Sequence, residues 1–306
     1  MKIGLCLIVR DEAHNISSCL GPIIDLFDDV VVVDTGSEDG TMEILKERFG
    51  IQPLRHLIDR DLWFNKYEAR NIGFSTVRAP WILSLDADER LDRNELKMLV
   101  EESVDTRMDG FFLGWMTHSC GPALEDYKLA LFKKGFRSLG LVHENVQQDV
   151  RARGGAAAWR AAPVIQHFPD ATRIAFKRHF YMQRLIEAVS RNPTWFRYHW
   201  FLGYAYFRQG DLENAKRYLQ IASACRSKSF PVECLNSHMV LAELYAKTGD
   251  RSVVHAVLAS AKSFFAEVET DFEVQVNFRF KPWLEKAEAV CNAGIMDEIA
   301  AYEFAA

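Results

Sequence analysis

Apolar and polar positions alternate in blocks over the first hundred residues. The run IGLCLIV (3–9) is unbroken and then gives way to Arg10, Asp11 and Glu12. A short apolar run of this kind suits a strand covered on both faces. VVVVD (30–34) predicts a second such strand, residues 51–58 a third and WILSL (81–85) a fourth. Between them lie stretches of helical spacing. HNISSCLGPIIDLF (14–27) is loosely helical and is interrupted by Gly21 and Pro22. TMEILKERFG (41–50) is predicted as a helix, with Asp39 or Thr41 able to cap it and Gly50 to stop it. EARNIGFSTV (68–77) is a further helix. Strand–helix alternation predicts an α/β fold with a mainly parallel, Rossmann-like sheet covered by helices.

The texture then changes twice. Residues 105–170 read as irregular and glycine-punctuated, with FFLGWM (111–116) and LALFKK (129–134) as strands. From 171 onward helical spacing is continuous. WFLGYAYFRQGDLENAKRYLQIA (200–222) matches much of the tetratricopeptide pattern, and residues 237–264 repeat it loosely about 39 positions later. The expected organisation is an α/β domain over 1–170 and an α-helical, tetratricopeptide-like domain over 171–306.

Composition narrows the partners. The 306 residues are 49% hydrophobic and 26% charged, as in globular proteins with a sizeable core. A formal net charge of −5 and the lack of a basic block argue against nucleic acid as a main partner. The apolar N-terminal run is broken by charges too early for a signal peptide, and no stretch has the length of a membrane span. A cytoplasmic protein, or one peripheral to an inner membrane, is expected. Cys6, Cys19, Cys120, Cys225, Cys234 and Cys291 are scattered without a CxxC pair and read as reduced residues.

Ligands of open parallel sheets bind beyond the carboxyl ends of the strands. Three charged clusters fall there: 10–12, 34–40 and 86–89. In an extended strand Asp86 and Asp88 would face the same way, about 6.6 Å apart along the chain. Two carboxylates about 4 Å apart repel by roughly 4 kcal/mol near a surface, so a solvated splayed turn or a bound divalent cation is required. An EF-hand loop starting at Asp86 fails, because Leu91 stands where glycine is needed and Lys97 where glutamate is needed. DTG at 34–36 also occurs in aspartic proteases, but a second DTG to face it is lacking. Neither a G-x-G-x-x-G nor a P-loop sequence is present.

Read together, LCLIVRDEAHNISSCL, DDVVVVDTGSEDGTMEI, YEARNIG and APWILSLDADERL resemble the family 2 glycosyltransferases of the GT-A fold in order and spacing. The branch they most resemble is that of the lipopolysaccharide-core glucosyltransferases, over about residues 1–170. The resemblance implies transfer of a sugar from a nucleotide-diphosphate sugar, with a UDP-sugar as first expectation, aided by Mn²⁺ or Mg²⁺. It implies that Val9, Arg10 and Glu12 line the nucleotide and that Asp34 contacts the nucleoside. Arg70 would lie close to the nucleotide-sugar, Asp86 near the ribose or metal, and Asp88 on the metal. In LGLVHENV, Glu144 is the implied general base of an inverting displacement, with Glu125–Asp126 as rival and His143 beside it. An ordinary carboxylate, with a pKa of about 4.3, is already ionised at neutral pH. His167 is the implied late metal ligand. Relatives often carry an acid before the EARN helix where this chain has Asn65, and Asp59 or Asp61 is the alternative source of that contact. The acceptor stays open among a saccharide, a peptide and a small metabolite. The helical domain is a candidate surface for a protein partner or a second copy, and a catalytically silent scaffold is the competing function.

Overall fold

The computed structural model describes residues 2–58, 66–101, 107–118, 123–276, 279–302 and 304, with side chains for all of these except 171–179, 272 and 276. Asn65, Asp59, Asp61 and Cys120 lie outside the described residues. The chain divides into two compact units, Met1–Lys177 and Arg178–Phe304.

The first unit is built in the order β1 (Ile3–Val9), α1 (Ile16–Leu20), β2 (Val30–Asp34), α2 (Thr41–Phe49), β3 (Leu54–Arg55), α3 (Lys66–Thr76), β4 (Trp81–Asp86), β5 (Glu89–Arg90), α4 (Arg93–Glu101), β6 (Gly110–Thr117), β7 (Leu124–Lys133), α5 (Gln147–Ala152) and β8 (Ala157–His167). Among the described residues the strands form one mixed sheet in the order β3-β2-β1-β4-β7-β6-β8-β5. The half made of β3, β2, β1 and β4 is parallel. Leu5, Leu7, Val32, Val33, Leu83 and Leu85 are fully or almost fully buried there, as the unbroken apolar runs require. β7 then runs antiparallel to both β4 and β6, and β8 returns parallel to β6.

Several boundaries differ from the sequence expectation. Only Leu54–Arg55 of the stretch 51–58 pairs as a strand, and both residues are exposed, so little apolar burial holds it. The helical stretch 14–27 breaks at Gly21–Pro22 into α1 and a 3₁₀ turn, Ile24–Leu26. The described residues of 105–170 supply β6 and β7, where two strands were expected, and a further strand, β8. β7 begins five residues before LALFKK, and β8 was not anticipated at all. The added start of β7, LEDYK, is largely polar, and β8 is alanine-rich and pairs with a strand far upstream, β6.

Helix α6 (Ala171–Arg191) is followed, in the second unit, by α7 (Phe196–Gln209), α8 (Leu212–Ala224), α9 (Pro231–Lys247), α10 (Arg251–Val268), α11 (Phe272–Val276) and α12 (Phe280–Asn292). The α7–α8 and α9–α10 hairpins turn at Gly210–Asp211 and Gly249–Asp250, where both glycines have positive φ. Asp211 caps α8 by accepting from the Asn214 amide at 3.2 Å. α9 is buried almost all round, which marks it as the centre of this unit.

Helix α3 lies close against β1 and β2 because Gly73 faces the sheet. A Cβ there would meet Cys6 Sγ at 2.5 Å and Val33 Cγ2 at 3.2 Å. Gly73→Ala is expected to cost about 1–3 kcal/mol through overpacking, read as a lower urea midpoint. An unchanged midpoint would show that α3 can shift without strain.

Candidate active site

The parallel register sets the frame. Asp34 at the end of β2 lies beside Val9 of β1, and Asp86 at the end of β4 lies beside Ile8. β1 therefore separates the two acids by two strand spacings, about 10 Å. Beyond β1 the chain turns through Asp11, a non-glycine residue at φ 55°. This turn is fastened to the 37–41 loop. Asp11 N donates to Ser37 Oγ (3.0 Å), Glu12 N to Thr41 Oγ1 (2.7 Å) and Ala13 N to Asp39 Oδ2 (3.0 Å). Glu38 N in turn donates to Asp11 Oδ1 at 2.7 Å. Glu12 accepts from Asn15 Nδ2, and Arg10 reaches the carbonyl of Ile58 at 2.9 Å.

Asp34 is fully buried. Its carboxylate takes the amides of Gly36 (3.2 Å) and Ser37 (3.0 Å), and Arg55 Nε lies 3.6 Å away. Gly36 has φ 115°, which a side chain would strain. The acid is thus used to shape the loop that follows it.

Arg70, projecting from α3, joins the two sides of the site. Its Nη2 donates to Asp86 Oδ1 at 2.7 Å and its Nε to Glu144 Oε1 at 3.2 Å. Glu144 sits in a loop closed by paired hydrogen bonds between Leu139 and Asn145, next to His143 at φ 51°. The other oxygen of Asp86 takes Lys128 Nζ from β7 at 3.1 Å. Burial pulls the Asp86 pKa up, but Arg70 and Lys128 outweigh it and hold the carboxyl well below the usual carboxylate range. Burial pulls Lys128 down, and Asp86 and Glu89 more than reverse this.

Glu89 is the acid beneath the site. It is fully buried and accepts Lys128 Nζ at 2.8 Å, Trp115 Nε1 at 2.8 Å and the Asp86 amide at 2.8 Å. Burial is the largest influence on it and raises its pKa despite Lys128.

Asp86 and Asp88 do not share one set of partners. β4 ends at Asp86, and Ala87–Asp88 form a turn into β5, so strand alternation does not carry through. β5 pairs with the end of β8, placing Glu89 opposite His167. Asp88 Oδ2 consequently lies 3.4 Å from His167 Nε2. Thr117 Oγ1 engages His167 Nδ1 at 3.1 Å, and the Trp115 ring stacks on the imidazole with centroids 4.6 Å apart. A ring fixed through Nδ1 leaves Nε2 facing Asp88, the arrangement seen in oriented histidine ligands. Among the described residues no group of three or more His, Cys, Asp or Glu converges as a metal cage. Asp88 and His167 offer two donors of types that suit Mn²⁺ or Mg²⁺, cations that commonly complete their shells with phosphate oxygens and water. Glu125 and Asp126 are exposed at the start of β7, on the strand that carries Lys128.

The structure therefore brings Arg70, Asp86 and Glu144 into direct contact and pairs Asp88 with His167. Val9 ends β1, Asp34 lies across that strand from Asp86, and Arg10 and Glu12 follow in the adjoining turn. Sequence reasoning assigned no role to Glu89, Lys128, Trp115 or Thr117. A lysine inside EDYKLALF was the available signal for one of them.

Comparison with known proteins adds the family. The profile described as "Glycosyl transferase family 2" matches residues 5–161. The chain belongs to that family. It is 40% identical over 91 residues to a TPR repeat-containing protein of Synechococcus elongatus, covering 29% of this chain and 21% of the relative. Over 83 residues it is 31% identical to the SPbeta prophage-derived glycosyltransferase SunS of Bacillus subtilis, covering 27% and 19%. The matches thus span about a fifth of the length of these relatives. A solved structure of S. aureus TarS in complex with UDP-GlcNAc aligns with a TM-score of 0.50 at 11% identity, covering 89% of this chain and 91% of that one. That likeness shows the GT-A fold. No helix among the described residues is long and apolar enough to cross a membrane.

Lys128→Met tests the ion network of this family 2 chain. It leaves Glu89 buried without its cation, which is expected to cost about 3–5 kcal/mol at pH 7. Without Lys128 the folded-state pKa of Glu89 rises further above the unfolded value of about 4.3. The folded state then holds a proton that the unfolded state releases, so the variant should regain stability as pH falls from 7 toward 5. In the wild type the depressed Asp86 acts with the opposite sign, its contribution being lost as pH falls below about 3.9. Urea titrations at pH 5 and 7 check this. A variant deficit that is the same at both values would show that Glu89 is not the stranded charge.

Proposed function

We propose that the protein transfers a sugar from a nucleotide-diphosphate sugar, most simply a UDP-sugar, to an acceptor nucleophile with inversion at the anomeric carbon. The observation that carries this reading is the bridge of Arg70 between Asp86 and Glu144 at the carboxyl ends of the parallel strands. It links a donor-side acid to a carboxylate on a separate loop. The UDP-GlcNAc complex of TarS, a protein of the same fold, supports the choice of donor.

In this reading residues 1–170 form the catalytic domain and residues 171–306 a tetratricopeptide-like domain. Val9, Arg10, Glu12 and Asp34 line the nucleoside side. Asp86, with Arg70, faces the ribose and diphosphate. A Mn²⁺ or Mg²⁺ ion would be held by Asp88 and His167, with the diphosphate completing its shell, and would supply Lewis-acid stabilisation of the leaving nucleoside diphosphate. Both Asp86 oxygens already accept from cations, which is why Asp88 and His167, rather than Asp86, are proposed as its ligands.

Glu144 acts as the general base. Its Oε1 is fixed by Arg70, and the carboxylate accepts the acceptor's proton as the nucleophile attacks the anomeric carbon. One in-line displacement from the side opposite the leaving group inverts that centre. Arg70 is a positioning residue for Glu144 and lends positive charge to the diphosphate side, where negative charge grows in the transition state.

Turnover of UDP-glucose and UDP-GlcNAc, followed by UDP release with water as acceptor, tests the assignment. Glu144→Gln retains an acceptor for Arg70 and is expected to lower kcat by about 10²–10⁴-fold while leaving UDP affinity within about threefold. A variant as active as the wild type would remove Glu144 from the role and turn attention to Glu125 and Asp126. A wild type that binds UDP but turns over neither donor under any metal condition would favour a binding scaffold.

A further inference from the structure

The helical unit holds part of its own chain in a way that helix packing does not require. After α12 and a 3₁₀ turn at Met296–Glu298, Ile299 is buried with extended backbone, and the described residues beyond it, 300–302 and 304, belong to no helix or strand. Side chains of three helices then grip that segment's backbone. Trp283 Nε1 of α12 donates to the Ala300 carbonyl at 2.9 Å. Glu243 Oε2 of α9 accepts from the Ala301 amide at 2.6 Å. Tyr204 Oη of α7 accepts from the Phe304 amide at 3.1 Å. The Phe304 ring stands edge-on to both Trp200 and Tyr204, with centroids 5.3 Å away in each case. Those two rings are themselves stacked at 5.3 Å. All four gripping aromatic and acidic side chains are buried with the segment in place.

We propose that this surface is a binding groove for an extended peptide carrying an aromatic residue, and that the chain's own segment ending at Phe304 is its resident occupant. The recognition chemistry supports the class of ligand. One carbonyl, the next amide and an amide three residues further on are read through the backbone, which any extended segment offers. Beyond the buried Ile299, the side-chain requirement is a ring that fits against the Trp200–Tyr204 pair, an edge-to-face contact favoured for aromatic pairs. Glu243 is a buried acid whose second oxygen is committed to that one backbone amide, while its first pairs with Lys247. A carboxylate so placed is left poorly satisfied when the segment departs, so the groove favours being filled by one peptide or another. The inference is independent of glycosyl transfer and concerns this unit alone.

A fluorescein-labelled peptide of residues 297–304, DEIAAYEF, tests it against the full chain by anisotropy. In the wild type the tethered segment competes at an effective concentration in the millimolar range, so binding should be weak. Phe304→Ala removes the ring of the resident segment and should tighten the apparent Kd at least tenfold, whereas a peptide with alanine in place of its last residue should not bind. Equal binding by wild type and variant, or none by a Phe304→Ala protein with a normal thermal transition, overturns the proposal. Hydrogen exchange on the wild type decides the matter if that variant does not fold. The Ala301 and Phe304 amides should exchange at least a hundredfold faster than those in the middle of α9, by local release of the segment. Exchange of both only through global unfolding would make the segment a fixed part of the core and exclude a displaceable occupant.

Discussion

A guanidinium held between two carboxylates is the contact on which the site depends. Arg70 can make it because α3 lies close on the sheet at Gly73, where a methyl group would run into Cys6 and Val33. Asp86 can accept it because β4 delivers that residue to the edge shared with β1 and β2. Lys128 reaches Asp86 from β7, and Glu89 supports Lys128 from below. The acids at the tip of a buried strand are therefore largely balanced by protein cations. Electrostatic complementarity of this sort holds side chains in place before any ligand arrives, and preorganisation is where much of a polar site's effect on charge development comes from.

The two acids of the DAD turn follow different paths for a geometric reason. A strand that continued through Asp88 would have placed both carboxylates on one face. Ending β4 at Asp86 frees the next residues to turn, and β5 then pairs with β8. That pairing takes Asp88 to His167 and leaves Asp86 with Arg70. The division separates a carboxylate engaged by protein cations from one paired with an oriented imidazole, which underlies the different roles proposed for them.

What the sequence made legible was local. The runs at 3–9, 30–34 and 81–85 are apolar enough to read as buried strands, and their charged tips marked Arg10–Glu12, Asp34 and Asp86 as one edge of a parallel sheet. The spaced motifs pointed to Arg70, Glu144 and His167 by resemblance rather than by physics. In the second half of the sheet FFLGWM and LALFKK marked β6 and the latter part of β7, whereas β8 was hidden because its residues are partly exposed and find β6 only through long-range pairing. Lys128 lies just outside the run that reads as a strand, and both acids it contacts lie about forty residues away, so nothing local marked it. β3 was overestimated because an apolar stretch alone does not ensure pairing beyond two residues.

In the proposed function Asp88 and His167 would hold a cation that helps bind a nucleoside diphosphate beside the Arg70–Asp86 pair. Calorimetric titration of UDP into the wild type and into Asp88→Asn, each with and without Mn²⁺, tests it most directly. The expected result is wild-type affinity that rises at least tenfold with Mn²⁺ and an Asp88→Asn variant that loses this gain while keeping its metal-free affinity. UDP binding that is equally tight with and without the metal, or a gain preserved in the variant, would contradict the claim.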